Sequence, residues 1–252
     1  MKKTFYKKII LAGMLLFSIK GLAQKKFLLG IKAGLDIPNL TAGGGDNPVS
    51  QGWSSRLGPY FGAVAEYAVS KKFALQAELN YSSQGGKKNG KQAIPTSNFT
   101  NNPPPGTPEY VYVNIKSQTR LNYIELPVMA KLSMPIGKAN TFFVMAGPYF
   151  GYLVAAKEIA RGTSNVYADE NEQYPLLPQA IPLDNTQDVK SDIKKFNTGI
   201  QGGIGVSLRV PGGSIMLTAG GNYGFIPIQK NKNNGQNNTG AANITIGYLL
   251  RL

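Results

Sequence analysis

The stretch Ala242, Asn243, Ile244, Thr245, Ile246, Gly247, Tyr248, Leu249, Leu250, Arg251, Leu252 reads as one strand with two unlike faces. Every second residue from Ala242 is apolar, and those between are mostly small or polar. Successive side chains of a strand point to opposite faces, so this alternation suits a sheet with hydrocarbon on one side and water or packed polar groups on the other. A transmembrane barrel is such a sheet.

The same alternation recurs along the chain. Apolar faces are Phe27, Leu29, Ile31, Ala33, Leu35; Phe61, Ala63, Ala65, Tyr67, Val69; Phe73, Leu75, Ala77, Leu79, Tyr81; and Ile124, Leu126, Val128, Ala130, Leu132. They continue with Phe142, Val144, Ala146, Pro148, Phe150, Tyr152, Val154, then Phe196, Thr198, Ile200, Gly202, Ile204, Val206, Leu208, then Ile215, Leu217, Ala219, Gly221, Tyr223, Phe225. The fifth of these strands is apolar on both faces, which makes its phase the hardest to read. Leu121 falls out of phase with Ile124, which predicts a bulge. Pro127 cannot donate to a ladder, so an irregularity is expected there too.

With the terminal strand the count is eight, and the connections alternate long and short. The long ones are Pro38 to Gly58, Ser82 to Thr119, Lys157 to Lys195 and Ile226 to Gly240. Within the second, Tyr110 to Ile115 is read as extending a strand into a protruding hairpin. Outer-membrane barrels have short periplasmic turns and long outer loops. The fold expected is therefore all-β: an eight-stranded antiparallel up-and-down transmembrane β-barrel with short periplasmic turns and long extracellular loops. In that topology the apolar-face aromatics gather at the strand ends and aliphatic residues occupy the middle, as in interfacial girdles. A soluble barrel of the lipocalin kind would turn its apolar face inward and lacks the one-sided loop rule.

Residues 1–23 read as a signal peptide: Lys2, Lys3, Lys7 and Lys8, an apolar run from Ile9 to Ile19, and the small-x-small site Gly21, Leu22, Ala23. Residues 24–252 then form the barrel domain. Removing the leader takes five lysines, so the formal charge of +14 falls by 5 to +9. The chain has no cysteine and no histidine, which removes disulfides, thiolate metal sites, the usual general base and the commonest metal ligand. No cofactor and no nucleic-acid partner is expected.

The face opposite the apolar one gathers Lys32, Asp36, Glu66, Glu78, Glu125, Lys131, Arg209 and Arg251. An eight-stranded barrel is just wide enough to be filled by its side chains, so these charges are expected to form an ion-pair network in the lumen. The inward glycines Gly199, Gly203 and Gly205 are read as making room for Tyr149 or Tyr123. Lys87, Lys88, Lys91, Lys230 and Lys232 fall in the outer loops, near anionic lipid headgroups or in solvent. Thr245, Gly247, Leu250 and Leu252 resemble the C-terminal signal that barrel-assembly machinery reads, with Leu252 where an aromatic is commoner.

Gly30 to Leu35, Tyr123 to Pro127, Gly147-Pro148-Tyr149 and the glycine-rich sixth strand resemble the PorT-like, or outer-membrane beta-barrel domain, family. The resemblance covers Phe27 to Leu252. It implies residence in the bacterial outer membrane, contact with its lipid and with the assembly machinery, and, through the founding member, a link to protein secretion. It brings no catalytic residues, and the outer-membrane barrel enzymes rely on a histidine that this chain lacks. The function expected is non-enzymatic and structural or interactive. Tyr167, Tyr174, Leu176 and Leu177 on the third long loop are the candidate surface for an envelope or secretion protein. The alternative is a small channel or solute-binding, porin-like barrel.

Overall fold

The computed structural model describes residues 26–43, 47–98, 102 and 104–251. The leader read at 1–23 and Leu252 of the terminal motif lie outside the described residues. The strands are β1 (Phe27–Ala42), β2 (Gly58–Ala68), β3 (Phe73–Pro95), β4 (Tyr110–Ile136), β5 (Asn140–Arg161), β6 (Thr163–Ser164), β7 (Ile181–Pro182), β8 (Asn185–Asp188), β9 (Phe196–Val210), β10 (Gly213–Gly224) and β11 (Asn237–Arg251). Nine of them form one antiparallel sheet in the order β4-β3-β2-β1-β11-β10-β9-β5-β8, and β4 also pairs with β5. The other two, β6 and β7, pair with each other. The three strands beyond the expected eight are short, and all lie in the segment read as a loop from Lys157 to Lys195.

Alternation sets which side of each strand is buried. Ile31, Ile204, Ile244, Ile246 and Leu250 are exposed, while Lys32, Asp36, Thr245 and Leu249 on the opposite side are buried. The fifth expected strand, now β5, has the phase read for it: Phe150, Tyr152 and Val154 are exposed, and Phe143, Met145 and Tyr149 buried. An exposed face this rich in Ile, Leu and Val is one that hydrocarbon accepts and water does not.

The aromatics of that face are in register with one another. Phe61 pairs with Tyr81, Tyr81 with Ile124, Ile124 with Tyr152, and Tyr152 with Phe196, so one belt crosses five strands at the long-loop end. Phe61 and Tyr81 stack at 5.0 Å, and Tyr152 meets Phe196 edge-on at 5.2 Å. Near the short turns, Phe27 pairs with Tyr67. Along β3, the eight steps from Phe73 to Tyr81 at about 3.3 Å each span roughly 26 Å, which after strand tilt suits a hydrocarbon band of about 25 Å.

The short turns follow their local chemistry. Ser70 Oγ accepts from the Lys72 and Phe73 amides at 3.3 and 3.1 Å and so closes the turn between β2 and β3. Between β9 and β10, Pro211 is followed by Gly212 at φ +81°, a conformation that glycine enters without penalty.

The long-loop end departs from the expectation. Tyr110 to Ile115 does extend a strand into a hairpin, as read, but the hairpin takes in most of the segment: β3 continues to Pro95 and β4 begins at Tyr110, with Ser82 paired to Tyr123 and Pro95 to Tyr110. On β4 the buried positions run without a break through Val111, Val113, Ile115, Ser117, Thr119, Leu121, Tyr123, Glu125, Pro127, Met129 and Lys131. Leu121 is thus in phase with the buried face. A register shift does occur at Asn122/Tyr123, but the extra residue is Val154 on β5. The β3–β4 ladder also skips the pairs that would involve Leu126 and Pro127, where the missing amide was expected to tell.

Candidate functional site

The buried face is layered. At the short-turn end, Val64, Met129, Phe143, Met145, Met216 and Leu249 make an apolar floor. Two glycines let its aromatics and the next ones lie flat against the wall. A Cβ on Gly205 would sit 2.5 Å from Phe143 Cζ, and one on Gly199 would sit 2.7 Å from Tyr149 Cε1. Of the two tyrosines expected beside the glycines, Tyr149 is there, whereas the ring of Tyr123 lies nearer Gly151.

A polar layer lies above and beside that floor. Lys32 Nζ meets Glu78 Oε2 at 2.5 Å, and Glu78 also accepts from Gln76 Nε2 at 2.6 Å and Asn80 Nδ2 at 2.8 Å. The Lys32 ammonium lies 4.5 Å over the Tyr60 ring, whose hydroxyl accepts from Asn80 Nδ2 at 2.8 Å and Gln201 Nε2 at 3.2 Å. Lys131 Nζ pairs with Glu66 Oε2 at 2.7 Å, donates to Gln76 Oε1 at 3.3 Å and lies 4.2 Å over the Phe143 ring. Gln76 therefore joins the two ion pairs. A buried pair recovers its desolvation cost only when its remaining lone pairs and protons are also satisfied, and Gln76, Asn80 and Tyr60 do that here.

Glu125 and Asp36 are held differently. Glu125 accepts from Gln84 Nε2 at 3.5 Å and Asn222 Nδ2 at 3.4 Å, and Asp36 accepts from Ser82 Oγ at 2.8 Å. Among the described residues neither has a cation within ion-pair distance. Arg209 and Arg251, placed in the same network by alternation, are exposed near the short turns. A long guanidinium at an open strand end reaches water rather than giving up its hydration, so parity alone misplaces both.

The neutral members of this layer, Tyr60, Gln76, Asn80, Ser82, Gln84, Gln201 and Asn222, were not among the expected site residues. Their signal was available: Gln76 and Asn80 share Glu78's parity on β3.

An apolar layer closes the stack on the long-loop side: Leu40, Leu121, Tyr123, Leu153 and Ala156 from the strands, with Val189, Ile193 and Ile228 from the returning segments, and Trp53 packed against them. Leu121 and Leu153 are fully buried. Further out, Val111, Val113, Ile115 and Val166 form a separate cluster.

The basic residues expected in the outer loops divide. Lys87 is exposed on β3, and Lys91 forms a 3.6 Å ion pair with Glu170. Lys230 donates to the Ser191 carbonyl. Lys88 points the other way and is buried. Among the described residues no group of three or more Asp or Glu stands close enough to hold a metal ion.

In the terminal motif, Thr245 is buried, Gly247 pairs with Lys32 and with Met216, and Leu250 is exposed. On the third long segment, Tyr174, Leu176 and Leu177 are exposed, while Tyr167 is half-buried and bridges to Tyr112 and Pro175.

No curated protein matches the sequence. Among solved structures, the chain is similar to the attachment invasion locus protein Ail of Yersinia pestis, with 10% identity over 89% of this chain and 99% of that one and a TM-score of 0.37. It is similar to the outer membrane protein OprG of Pseudomonas aeruginosa, with 6% identity over 91% and 98% and a TM-score of 0.43. It is also similar to the outer membrane protease OmpT of Escherichia coli, with 10% identity over 90% and 97% and a TM-score of 0.33. The model of the outer membrane protein beta-barrel domain matches residues 22–230. The chain belongs to that family, and its place is the bacterial outer membrane.

Proposed function

We propose that the eight long strands close into a barrel through the β1–β11 and β4–β5 ladders, and that the protein serves the outer membrane as a non-enzymatic, non-conducting interaction component. The observation that carries this reading is the filled inside: two satisfied ion pairs, with the Leu40, Leu121, Tyr123 and Leu153 layer across the path above them. An aqueous pore needs a lumen that side chains do not fill, and porins reach it with about twice as many strands. Purified protein in planar bilayers is expected to stay silent; a stable open conductance would overturn the reading.

The resemblance to PorT-like proteins points to secretion or surface assembly as the process served. The partner surface is the exposed Tyr174, Leu176 and Leu177, beside the acidic Asp169, Glu170 and Glu172. Replacing residues 165–180 with a short turn should leave the barrel inserted and abolish capture of the envelope partner. Undiminished capture would remove this surface from the account. Export by cleavage after Ala23, and reading of Thr245, Gly247, Leu250 and Leu252 by the assembly machinery, belong to the same proposal. Substituting Leu250 and Leu252 by Asp should lower the inserted fraction, and unchanged insertion would show that the motif is not read.

A further inference from the structure

Beyond the apolar layer the extended ends of β3, β4 and β5, together with the segments returning from the loops, enclose a cavity of about 630 Å³. Its wall includes Leu40, Trp53, Lys88, Ile115, Ile193 and Ile228. Asp184, Gln187 and Asp192, which also line it, are exposed, so it opens to water on the long-loop side. The volume falls within the range of about 300–1,000 Å³ typical of small-molecule sites.

Lys88 is the deeply buried charge of this wall. Its Nζ donates to the Val49 carbonyl at 2.6 Å and lies 4.6 Å over the Trp53 ring. That ring is seated against Gly86, where a Cβ would come within 3.0 Å of Trp53 Cε3. Among the described residues Lys88 has no carboxylate within ion-pair distance. An ammonium offers three donors, and a buried cation without a counter-charge is costly.

We propose that this cavity binds a small amphipathic organic anion, its apolar body against Leu40, Ile115, Ile193 and Trp53 and its carboxylate on the Lys88 ammonium. The carboxylates that line the same cavity define the selectivity. Glu158 on β5 is half-buried in the same wall, and Asp184 and Asp192 stand at the rim. These three carboxylates repel a second negative charge, so a monoanion is favoured over a dianion. Burial pushes the Lys88 ammonium down to about 8, against the opposing pull of Glu158, so it remains largely charged at neutral pH. The ligand contacts lie outside residues 165–180, although Val166 packs against Ile115 of the cavity wall, so the binding test uses the protein with residues 165–180 intact.

Trp53 is the single tryptophan of the chain, so its fluorescence reports on this cavity alone. The probe is adamantane-1-carboxylate, compared with adamantane-1-carboxamide, titrated into the whole protein in phosphatidylcholine vesicles. The carboxylate is expected to give a saturable change in Trp53 emission and to bind at least about ten-fold more tightly than the uncharged amide, about 1.4 kcal/mol. Lys88→Gln should remove that preference and leave the amide unchanged. Absence of a saturable response, equal binding of acid and amide, or wild-type carboxylate affinity in Lys88→Gln would each overturn the proposal. If Lys88→Gln fails to insert, the acid-against-amide comparison on the wild-type protein decides.

Discussion

Lys32 and Lys88 stand on the buried face of the same sheet, and each is 6% exposed. Lys32, within the aromatic belts, has a carboxylate at 2.5 Å and an aromatic face, while amide side chains complete its partner's bonding. Lys88, beyond the outer belt, has an aromatic face and one backbone carbonyl. In the first region the protein meets its own electrostatic demand. In the second it leaves a charge for something else to meet, beside a cavity that opens to water. On the proposal made above, the part between the belts is full and the long-loop end receives a ligand.

The most severe test of this contrast is the same substitution at both lysines. Lys32→Gln leaves Glu78 buried without its cation, and removing one partner of a buried pair costs about 3–5 kcal/mol. Urea unfolding of the vesicle-inserted protein should show a correspondingly earlier midpoint. An unshifted midpoint would mean that the pair contributes nothing to stability.

Gly86→Ala sharpens the other side of the comparison. The added methyl presses on the Trp53 ring from a backbone position that cannot retreat, and overpacking of this kind costs about 1–3 kcal/mol. The expected readouts are a small loss of stability and a shifted Trp53 emission maximum. Unchanged emission would place the indole elsewhere than against β3.

Lys88→Gln should cost far less than its counterpart, since it removes a buried cation that no carboxylate among the described residues contacts; the midpoint near pH 7 is expected to hold or rise. The pH dependence has a definite sign. The folded group titrates at about 8, below the ordinary lysine value of 10.5. Between those values the unfolded chain keeps the proton that the folded chain has released, so stability rises with pH through that window. The wild-type protein should gain on Lys88→Gln as pH climbs from 8 to 10.5, and parallel curves would show Lys88 to be freely solvated.

The embedded strands were legible because hydrocarbon enforces a period of two, as in Ile244, Ile246 and Leu250. Beyond the belts that demand stops. Lys87, Asn89 and Lys91 on β3 face water, and Ser82, Gln84, Gly86 and Lys88 face inward, so nothing in their polarity separates the two sides. The cavity was hidden for the same reason: Trp53 and Lys88 lie in stretches whose composition reads as loop. The phase change after Leu121 is visible in the sequence, but the extra residue, Val154, belongs to the neighbouring β5. Leu121 looked misplaced because it is apolar on the inward side, where it joins the sealing layer.

The smallest effect is expected at Arg209 and Arg251, and it bears on what parity can establish. Both share the inward parity that puts Lys32, Glu78 and Lys131 into the polar layer, yet both are exposed at the short-turn end. Parity fixes the side on which a side chain leaves the strand, whereas depth from the strand end decides whether a long cation stays inside or reaches water. Arg209→Gln and Arg251→Gln should therefore leave the urea midpoint where it was, alone and together, in contrast to Lys32→Gln. A loss in either variant comparable to that of Lys32→Gln would draw the arginines back into the network and make the charged layer deeper than the Lys32–Glu78 and Lys131–Glu66 pairs alone.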